Sequence, residues 1–414
     1  MILHDLNPHW ELGYRYPVAK HRRLYGELLK KLGLRQILQI TGLRRTGKTT
    51  LLFQLINHLL DQGHDPLCLW YFSFDRGSSS LEELMHSFST QTNRDFKTHK
   101  IFVFLDEIQK LRDFQAELKV YYDLYPNLKF IISGSSSLFI RKRVQESLAG
   151  RIFQFVLHPL AFSEYLVFTD QEYLLEQPRT FAQRLFDQSE VYLRHQFIES
   201  LSLPDDTTKR EFYTSIMRKI VFEDIPAVFS ANYPEIIWQI VQIVGQMPGM
   251  LVDYQSLAND LGVSKATISN YVFFLEESYL LRKLYNFSRS LITSEKKLKR
   301  SYLASASFSW ALAPFQDTGR LVENAYASLH DCRFFWRDPF GHEIDFVEVE
   351  GGEVIPVEVK YKDRLLQKDL RNLRAFCRKF GVKRARVYMK TPESTRLDSL
   401  GADVQIEGVP ASSM

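Results

Sequence analysis

Glycine, lysine and threonine occur in this sequence at the spacing of a phosphate-binding loop. Gly42 to Thr49 fits the pattern G-x-x-x-x-G-K-[ST], in which backbone N–H groups turn inward around phosphate oxygens. Gly42 and Gly47 would permit the backbone angles of such a loop. Lys48 would neutralise the β- and γ-phosphates, and the Thr49 hydroxyl would bind Mg²⁺. The remaining candidate nucleotide-binding residues of this segment are Arg45, Thr46 and Thr50.

Two acidic residues follow a later apolar run and are the next candidates for chemistry. Residues 100–105 predict a buried strand, and Asp106 and Glu107 come directly after it. Ligands of open α/β sheets bind at the carboxyl ends of the strands. We therefore expect Asp106 to hold Mg²⁺ through its water shell, and Glu107 to orient or deprotonate the attacking water.

A serine and an arginine complete the candidate catalytic set. Ser135, or its neighbour Ser136, follows the apolar run 129–133 and would contact the γ-phosphate or the attacking water. The alternative is a serine that caps the next helix. Arg151 follows a predicted helix stop at Gly150. It would stabilise transition-state charge on the γ-phosphate, within the subunit or across an interface, or else form a surface ion pair.

The elements that must position these residues alternate between apolar runs and helical segments, which is typical of the α/β class. The apolar runs predict strands at 37–41, 67–74, 100–105, 129–133 and 153–157. The intervening segments predict helices at 48–61, 80–89, 113–122 and 138–149.

Together, these motifs resemble one family, the prokaryotic (archaeal and bacterial) AAA-type ATPases with a C-terminal domain of unknown function. The residues that carry the resemblance are those of the loop 42–50, Phe104–Gln109, Ser133–Ser137, Leu148–Arg151 and Pro159–Tyr165. The resemblance covers essentially the whole chain. It implies an ATP-binding AAA+ core, which we place over residues 1–165 and expect to hydrolyse ATP with Mg²⁺. The sequence predicts a helical region over 166–233. The resemblance implies no settled biological role.

Residues 234–299 resemble a winged helix-turn-helix. Predicted helices at 254–261 and 265–277 are joined by a short turn, and residues 280–287 would form the wing. Such units place the second helix in the major groove of DNA. The side chains that would face out from this helix are Lys265, Thr267, Ser269 and Asn270. The alternative is a winged helix that serves only as a packing module.

The segment after the second helix is rich in cations. Its basic residues are Arg282, Lys283, Arg289, Lys296, Lys297, Lys299 and Arg300, against the single acid Glu295. Such clustering is the electrostatic footprint of a surface that binds the phosphate backbone of DNA.

The C-terminal residues 300–414 resemble an α/β PD-(D/E)xK nuclease core. Glu323 lies on a predicted helix, and Asp345, Glu358 and Lys360 lie on predicted strands. Glu358 and Lys360 share one face of their strand because strand side chains alternate. The three carboxylates would bind one Mg²⁺ or Mn²⁺, and Lys360 would position or activate a water. The alternative is an inactive module that binds nucleic acid or protein.

Composition limits the remaining possibilities. A chain of 414 residues predicts two to three domains, and 45% hydrophobic and 25% charged residues are ordinary for a soluble protein. A net charge of +4 says little about nucleic acid by itself. The sequence predicts no membrane span and no secretion signal. The three distant cysteines, Cys68, Cys332 and Cys377, favour a reducing cytoplasm.

Two functional hypotheses follow. In the first, the chain is an ATPase that works on DNA or switches at DNA, and it forms a homo-oligomer. In the second, it is a nucleotide-dependent signalling or assembly switch whose C-terminal domains bind a protein and have no nuclease activity.

Overall fold

In the computed structural model, the chain forms two compact units, residues 1–158 and 159–414. The structure describes residues 3–76, 80–134, 148–229, 231–289, 299–313, 317–330, 332–362, 364–390, 395–396 and 404–413. The candidates Ser135 and Ser136, most of the predicted helix 138–149, and the segment with Glu295, Lys296 and Lys297 lie outside these residues. No helix within the described ranges is long and apolar enough to cross a bilayer.

The first unit is built on a sheet of five parallel strands in the order β2-β3-β4-β1-β5. The strands are β1 (Ile37–Thr41), β2 (Leu69–Ser73), β3 (Ile101–Asp106), β4 (Leu128–Gly134) and β5 (Ile152–Val156). Every residue of β1, β3 and β4 is buried. Burial on both faces explains why these strands are continuous apolar runs in the sequence.

Helices cover both faces of this sheet. They are α1 (Leu3–Leu6), α2 (Arg23–Leu32), α3 (Lys48–Asp61), α4 (Leu81–Thr92) and α5 (Phe114–Leu124). Val103 and Phe130 join a core that includes α4 and α5. Phe104 and Ile40 join the opposite core, which includes α2 and α3. Adjacent residues of β3 thus pack on opposite faces, as strand alternation requires.

The segment before α2 protects the edge strand β2. The Asn7 amide donates to the Tyr71 carbonyl (3.0 Å), and its Oδ1 accepts from the Tyr71 N–H (2.7 Å). His9 is fully buried, with Nε2 2.9 Å from the Leu69 carbonyl and Nδ1 2.9 Å from the Tyr16 hydroxyl. These side chains occupy backbone groups that an edge strand otherwise presents to other chains.

The second unit combines helices with a mixed sheet. Its α-helices are Phe162–Phe168, Ala182–Tyr192, Asp206–Lys219, Ile225–Phe229, Pro234–Gln246, Tyr254–Asp260, Lys265–Glu277, Ala306–Leu312, Thr318–Leu329 and Arg371–Phe380, and Ile220–Asp224 is a π-helical turn. Its strands are β6 (Met250–Val252), β7 (Leu281–Asn286), β8 (Lys299–Leu303), β9 (Phe334–Arg337), β10 (Glu343–Glu350), β11 (Glu353–Lys360), β12 (Arg384–Met389), β13 (Thr395–Arg396) and β14 (Gln405–Pro410). Short 3₁₀ segments across the two units are Pro8–Trp10, Pro66–Cys68, Phe74–Arg76, Ile108–Lys110, Glu172–Leu175, Ile198–Ser202, Gln367–Leu370 and Ala411–Ser413.

The strands described in this unit form one sheet in the order β13-β14-β12-β11-β10-β9-β7-β8-β6. β8 pairs antiparallel with both β6 and β7, and β7 pairs parallel with β9. β9, β10 and β11 are antiparallel neighbours, whereas β11 and β12 are parallel. The predicted domain boundary at 299/300 therefore falls inside β8, and the predicted core end at residue 165 falls seven residues beyond the first unit.

Candidate functional site

In the loop between β1 and α3, the two glycines have the backbone angles that the sequence predicts for a phosphate-binding loop. Gly42 has φ +142° and Gly47 has φ +97°, both in the region that favours glycine. A Cβ on Gly42 would lie 2.3 Å from the Leu157 carbonyl oxygen, so any larger residue would displace the backbone. Arg45 also has a positive φ, +64°, which is uncommon for a residue with a side chain.

The side chains of the loop are held by short polar contacts. The Lys48 ammonium is almost fully buried and donates to the carbonyls of Leu43 (2.8 Å) and Gly42 (3.1 Å). The Thr46 hydroxyl donates to the same Leu43 carbonyl (2.8 Å). Lys48 is therefore held against the loop, at the start of a 14-residue helix whose N-terminus favours anions.

Arg22 donates a hydrogen bond to the backbone of the phosphate loop, a contact that the sequence analysis missed. This buried guanidinium donates to the carbonyls of Thr46 (2.7 Å) and His158 (2.8 Å). It therefore connects the phosphate loop to the end of the first unit. Arg22 is one of four consecutive basic residues, 20–23, and nothing in the sequence distinguishes it from its neighbours.

Asp106 collects four hydrogen bonds at the carboxyl end of β3. Its Oδ2 accepts from the Thr49 hydroxyl (2.6 Å) and from the Tyr71 hydroxyl (3.2 Å). Its Oδ1 accepts from the Glu107 N–H (3.1 Å) and from the Ser133 hydroxyl. Hard cations such as Mg²⁺ prefer one or two carboxylates plus phosphate oxygens and water. The Thr49 hydroxyl and the Asp106 carboxylate fit that requirement, and they are the residues that would hold Mg²⁺.

Glu107 lies at the same edge of the sheet as Asp106. Its φ is +51°, and its carboxylate accepts a hydrogen bond from the Gln109 side chain. Left-handed backbone at a residue with a side chain is concentrated at functional sites. This conformation turns the chain away from β3 directly after Asp106, the predicted Mg²⁺ ligand. Glu107 therefore lies next in the chain to that ligand, as its predicted role as a base requires.

Ser133 is a further polar residue beside Asp106 that the sequence analysis did not name as a candidate. It is fully buried at the end of β4, opposite Ile40 of β1, and its hydroxyl contacts Asp106. The signal was present, because Ser133 is a polar residue directly after the apolar run 130–132. The candidate Ser135 lies outside the described residues.

Arg151 lies at the amino-terminal end of the parallel strands, opposite the end that carries the phosphate loop. Its carbonyl accepts from the N–H of Ile37, the first residue of β1, and its guanidinium pairs with Asp123 (2.8 Å). The phosphate loop begins after the last residue of β1. The length of this strand, at ~3.3 Å per residue, separates the loop from Ile37 by about 16 Å. The pair with Asp123 is the surface ion pair that the sequence analysis gave as the alternative, and a catalytic role for Arg151 stays a prediction.

In the second unit, the structure brings together the four residues of the predicted nuclease-like site. Lys360 Nζ contacts the Glu358 carboxylate and lies 3.9 Å from Asp345 Oδ2. Asp345 Oδ2 also accepts from the Val359 N–H (3.0 Å). Glu323 joins through Arg300, whose Nη1 lies 3.2 Å from Glu323 Oε1 and 3.1 Å from Asp345 Oδ1.

The electrostatics of this cluster depend on burial and on its two cations. Burial, reinforced by the charge of Asp345, raises the pKa of Glu323 to about 7 and the pKa of Glu358 to about 8. Burial also acts to raise the pKa of Asp345, but the charges of Lys360 and Arg300 outweigh it and hold that pKa below its usual range. Asp345 is thus the carboxylate that the two cations keep ionised.

That Glu323, Asp345 and Glu358 share a metal ion stays a prediction. Within the described part of the chain, no group of three or more His, Cys, Asp or Glu side chains is arranged to hold a metal ion. The Arg300 guanidinium contacts two of the three predicted ligands, Glu323 and Asp345.

Four cations of the predicted basic surface over residues 282–300 are engaged by other protein groups, and the surface itself stays a prediction. Arg300 is buried, and Lys283 Nζ lies 2.7 Å from Glu276 Oε2 with only 12% of its side chain exposed. Arg282 donates to the His330 carbonyl (2.9 Å), and Arg289 donates to the Phe380 carbonyl (3.0 Å). Arg282, Lys283 and Arg300 lie on β7 and β8, which are interior strands of the sheet, whereas Arg289 lies after β7 and is exposed.

The helix Lys265–Glu277 has the two faces that its sequence predicts. Its inward residues Ile268, Val272 and Leu275 are buried. Ser264 caps its N-terminus by accepting from the Thr267 N–H (3.1 Å). Of the side chains predicted to face outward, Lys265, Ser269 and Asn270 are exposed and Thr267 is half-buried. Phe273 is exposed as well.

Comparison with known proteins agrees with the first of these two sites. Residues 34–166 match the AAA domain family. This match supports an AAA-type ATPase. Residues 187–318 and 320–407 match two domains of unknown function, DUF8612 and DUF4143. These two matches describe no activity.

The curated relatives are prokaryotic and uncharacterized. One protein of Methanocaldococcus jannaschii is 29% identical over 318 residues, covering 69% of this chain and 65% of the relative. A second protein of that organism is 26% identical, covering 71% and 66%, and one of Haemophilus influenzae is 24% identical, covering 59% and 61%. The chain thus spans less than two thirds of the length of each relative.

A solved structure of C. elegans PCH-2 overlaps with 63% of this chain and 69% of its own at 14% identity. The TM-score of 0.28 is too low to support a conclusion about fold or function.

Proposed function

We propose that the first unit hydrolyses ATP with Mg²⁺. The observation that carries this proposal is the 2.6 Å hydrogen bond from Thr49 to Asp106, which joins the end of the phosphate loop to the acidic end of β3. In this arrangement the loop N–H groups and the N-terminus of α3 bind phosphate oxygens, and Lys48 neutralises their charge. Mg²⁺, when bound, supplies further charge neutralisation at the β- and γ-phosphates.

Within the same proposal, Thr49 and Asp106 hold the metal while Glu107 accepts a proton from the attacking water. Tyr71 and Ser133 fix the orientation of the Asp106 carboxylate by their hydrogen bonds. Phosphate release from ATP, measured with Mg²⁺ and with excess chelator, tests the activity. The Asp106→Asn variant should release phosphate far more slowly, because the amide removes the charge that the metal requires.

The proposal places DNA as the partner of the second unit. A helix, β6, two helices, β7 and β8 follow one another, and β8 pairs antiparallel with β6 and β7. This order is compatible with a winged helix-turn-helix, in which the second helix enters the major groove. Lys265, Ser269 and Asn270 are exposed on that helix and supply one cation and two hydrogen-bonding groups.

Binding of a protein instead of DNA is the second candidate, and a specific observation favours it. Arg282, Lys283 and Arg300 are engaged inside the fold, whereas Phe273 on the outward face of the helix is 40% exposed. Aromatic residues are enriched at the centres of protein interfaces. Salt separates the two candidates, because affinity for DNA falls steeply as salt rises.

A homo-oligomer in the cytoplasm is the setting of this proposal, with Arg151 acting on the ATP of a neighbouring subunit. Mixing variants tests the arrangement. Lys48→Ala subunits retain Arg151, and Arg151→Ala subunits retain Lys48, so the mixture should hydrolyse ATP faster than either variant alone. A mixture no faster than the average of its components would contradict action across an interface.

A further inference from the structure

The acidic side chains of the second unit surround a buried guanidinium. We call Glu323, Glu343, Asp345 and Glu358 the carboxylate cluster. Arg300 Nη1 lies 3.2 Å from Glu323 Oε1 and 3.1 Å from Asp345 Oδ1, and its Nη2 contacts Glu343. Only 8% of the Arg300 side chain is exposed. One planar cation therefore contacts three of the four carboxylates.

The surrounding fold is shaped to hold this guanidinium. Arg300 and Tyr302 lie two residues apart on β8 and therefore on one face of the strand. The Tyr302 hydroxyl donates to Glu323 Oε1 beside the guanidinium. Gly249 allows this close approach, since a Cβ there would lie 2.7 Å from Glu323 Oε1 and 3.0 Å from the Tyr302 oxygen.

The Lys360 ammonium faces both Asp345 and Glu358, although neither buried Glu358 oxygen accepts a hydrogen bond from any residue that the structure describes. Asp345 Oδ2 accepts from the Val359 N–H (3.0 Å) and lies 3.9 Å from Lys360 Nζ. Glu358 is fully buried against the same ammonium. A divalent cation bound by Glu323 and Asp345 would have to share the position of Arg300 Nη1, where like charges repel.

We infer that Arg300 is the resident cation of the carboxylate cluster and occupies the place that a divalent metal would require. The cluster is a metal-independent connection between β8, the Thr318–Leu329 helix and β10. Removing the guanidinium turns Glu323 and Asp345 into ligands for a divalent cation, because two buried carboxylates then lack their counter-charge. This inference is independent of the proposed ATPase and DNA functions.

Binding of Mn²⁺, followed by the loss of its free paramagnetic resonance signal, tests this inference in the full-length chain without nucleotide. All proteins carry Asp106→Asn, so that the proposed Mg²⁺ site of the first unit lacks its carboxylate ligand. The Arg300→Gln protein should gain one Mn²⁺ site with a Kd at least about tenfold lower than that of its parent. Adding Asp345→Asn should remove the gained site.

A matched control removes a different arginine from the same cluster. Arg337 Nη1 lies 3.7 Å from Glu343 Oε2, and 43% of its side chain is exposed. Arg337→Gln leaves Arg300 in place, so it should gain no Mn²⁺ site. A gain equal to that of Arg300→Gln would overturn the inference, because any lost cation would then suffice.

Two further measurements keep the test decisive if Arg300→Gln folds poorly. Mn²⁺ should raise the melting temperature of Arg300→Gln and leave that of the parent unchanged, and equal shifts would overturn the inference. The parent protein alone also decides it. Mn²⁺ binding by the parent that disappears with Asp345→Asn would show that Arg300 does not exclude a metal, whereas no Asp345-dependent binding supports its role as resident cation.

Discussion

Thr49 and Asp106 are 57 positions apart in the chain, yet the Thr49 hydroxyl donates a 2.6 Å hydrogen bond to Asp106 Oδ2. The contact exists because β1 and β3 are parallel, so their carboxyl ends meet at one edge of the sheet. It brings the predicted Mg²⁺ ligands together beside a loop whose glycines have the required backbone angles.

Glu107→Gln should retain ATP binding and lose turnover. The amide removes the proton acceptor for water and leaves the Asp106 carboxylate intact, and general base catalysis typically contributes about 10²- to 10⁴-fold. Nucleotide affinity and steady-state phosphate release measure the two effects separately. The exposed surface acid Glu27, changed to Gln, is the control and should leave both unchanged. A normal rate in Glu107→Gln would remove this residue from the catalytic role.

Ser133→Ala should raise the Mg²⁺ concentration needed for half-maximal ATP hydrolysis. The Ser133 hydroxyl contacts Asp106 Oδ1, and loss of such an orienting group typically weakens metal binding by about tenfold or more. Tyr71→Phe, which removes the donor to Oδ2, should act in the same direction. If the Mg²⁺ dependence is unchanged in both variants, these hydroxyls do not orient the carboxylate.

Stability of the first unit should fall as pH drops from about 6.5 towards 4, in part through His9. Burial lowers the pKa of His9 to about 4, although its hydrogen bond to the Leu69 carbonyl opposes this shift. In the unfolded chain the pKa of His9 is near 6.5, so His9 binds a proton in this pH range, whereas in the folded chain it stays neutral. This difference lowers the free energy of unfolding by up to about 3 kcal/mol at pH 4.

The measurement for His9 is denaturant unfolding at several pH values. His9→Gln keeps hydrogen-bonding groups but cannot titrate, so its free energy of unfolding should change less between pH 6.5 and 4 than that of the wild type. Equal slopes for the two proteins would contradict the assignment of this pH dependence to His9.

Lys265→Ala should weaken DNA binding about equally for different sequences. A lysine on the outward face of the helix contacts phosphate rather than base edges, so its loss should also reduce the slope of log affinity against log salt by about 1. Fluorescence anisotropy over a salt series measures both quantities. Lys219, half-exposed on a different helix, provides the control variant Lys219→Ala. Unchanged affinity and slope in Lys265→Ala would favour the protein-binding alternative.

Local motifs explain what was predictable from the sequence. The phosphate loop is contiguous, so Gly42, Gly47 and Lys48 could be assigned from spacing alone. Asp106 followed from a general property of parallel sheets. The same property also places Arg151 correctly, because a residue before a parallel strand lies at the amino end, opposite the phosphate loop. That step was missed in the sequence analysis.

Arg300 illustrates what local sequence does not reveal. The charge density of residues 282–300 resembles an exposed basic surface, but β8 is an interior strand that directs Arg300 towards Glu323 and Asp345. Those partners are 23 and 45 positions away. Pairing over such separations depends on the order of strands in the sheet, which hydrophobic periodicity alone does not specify.

The most direct test of the central claim is Mg²⁺-dependent phosphate release from ATP by the wild type and by Lys48→Ala, purified in parallel and matched for melting temperature. Lys48 is held against the loop carbonyls by hydrogen bonds, and its ammonium supplies the fixed charge for the phosphates. The account predicts release by the wild type that chelator abolishes, and little or no release by Lys48→Ala. Equal rates in the two proteins, or no release by folded wild type, would contradict the claim that this loop and Asp106 form an ATPase site.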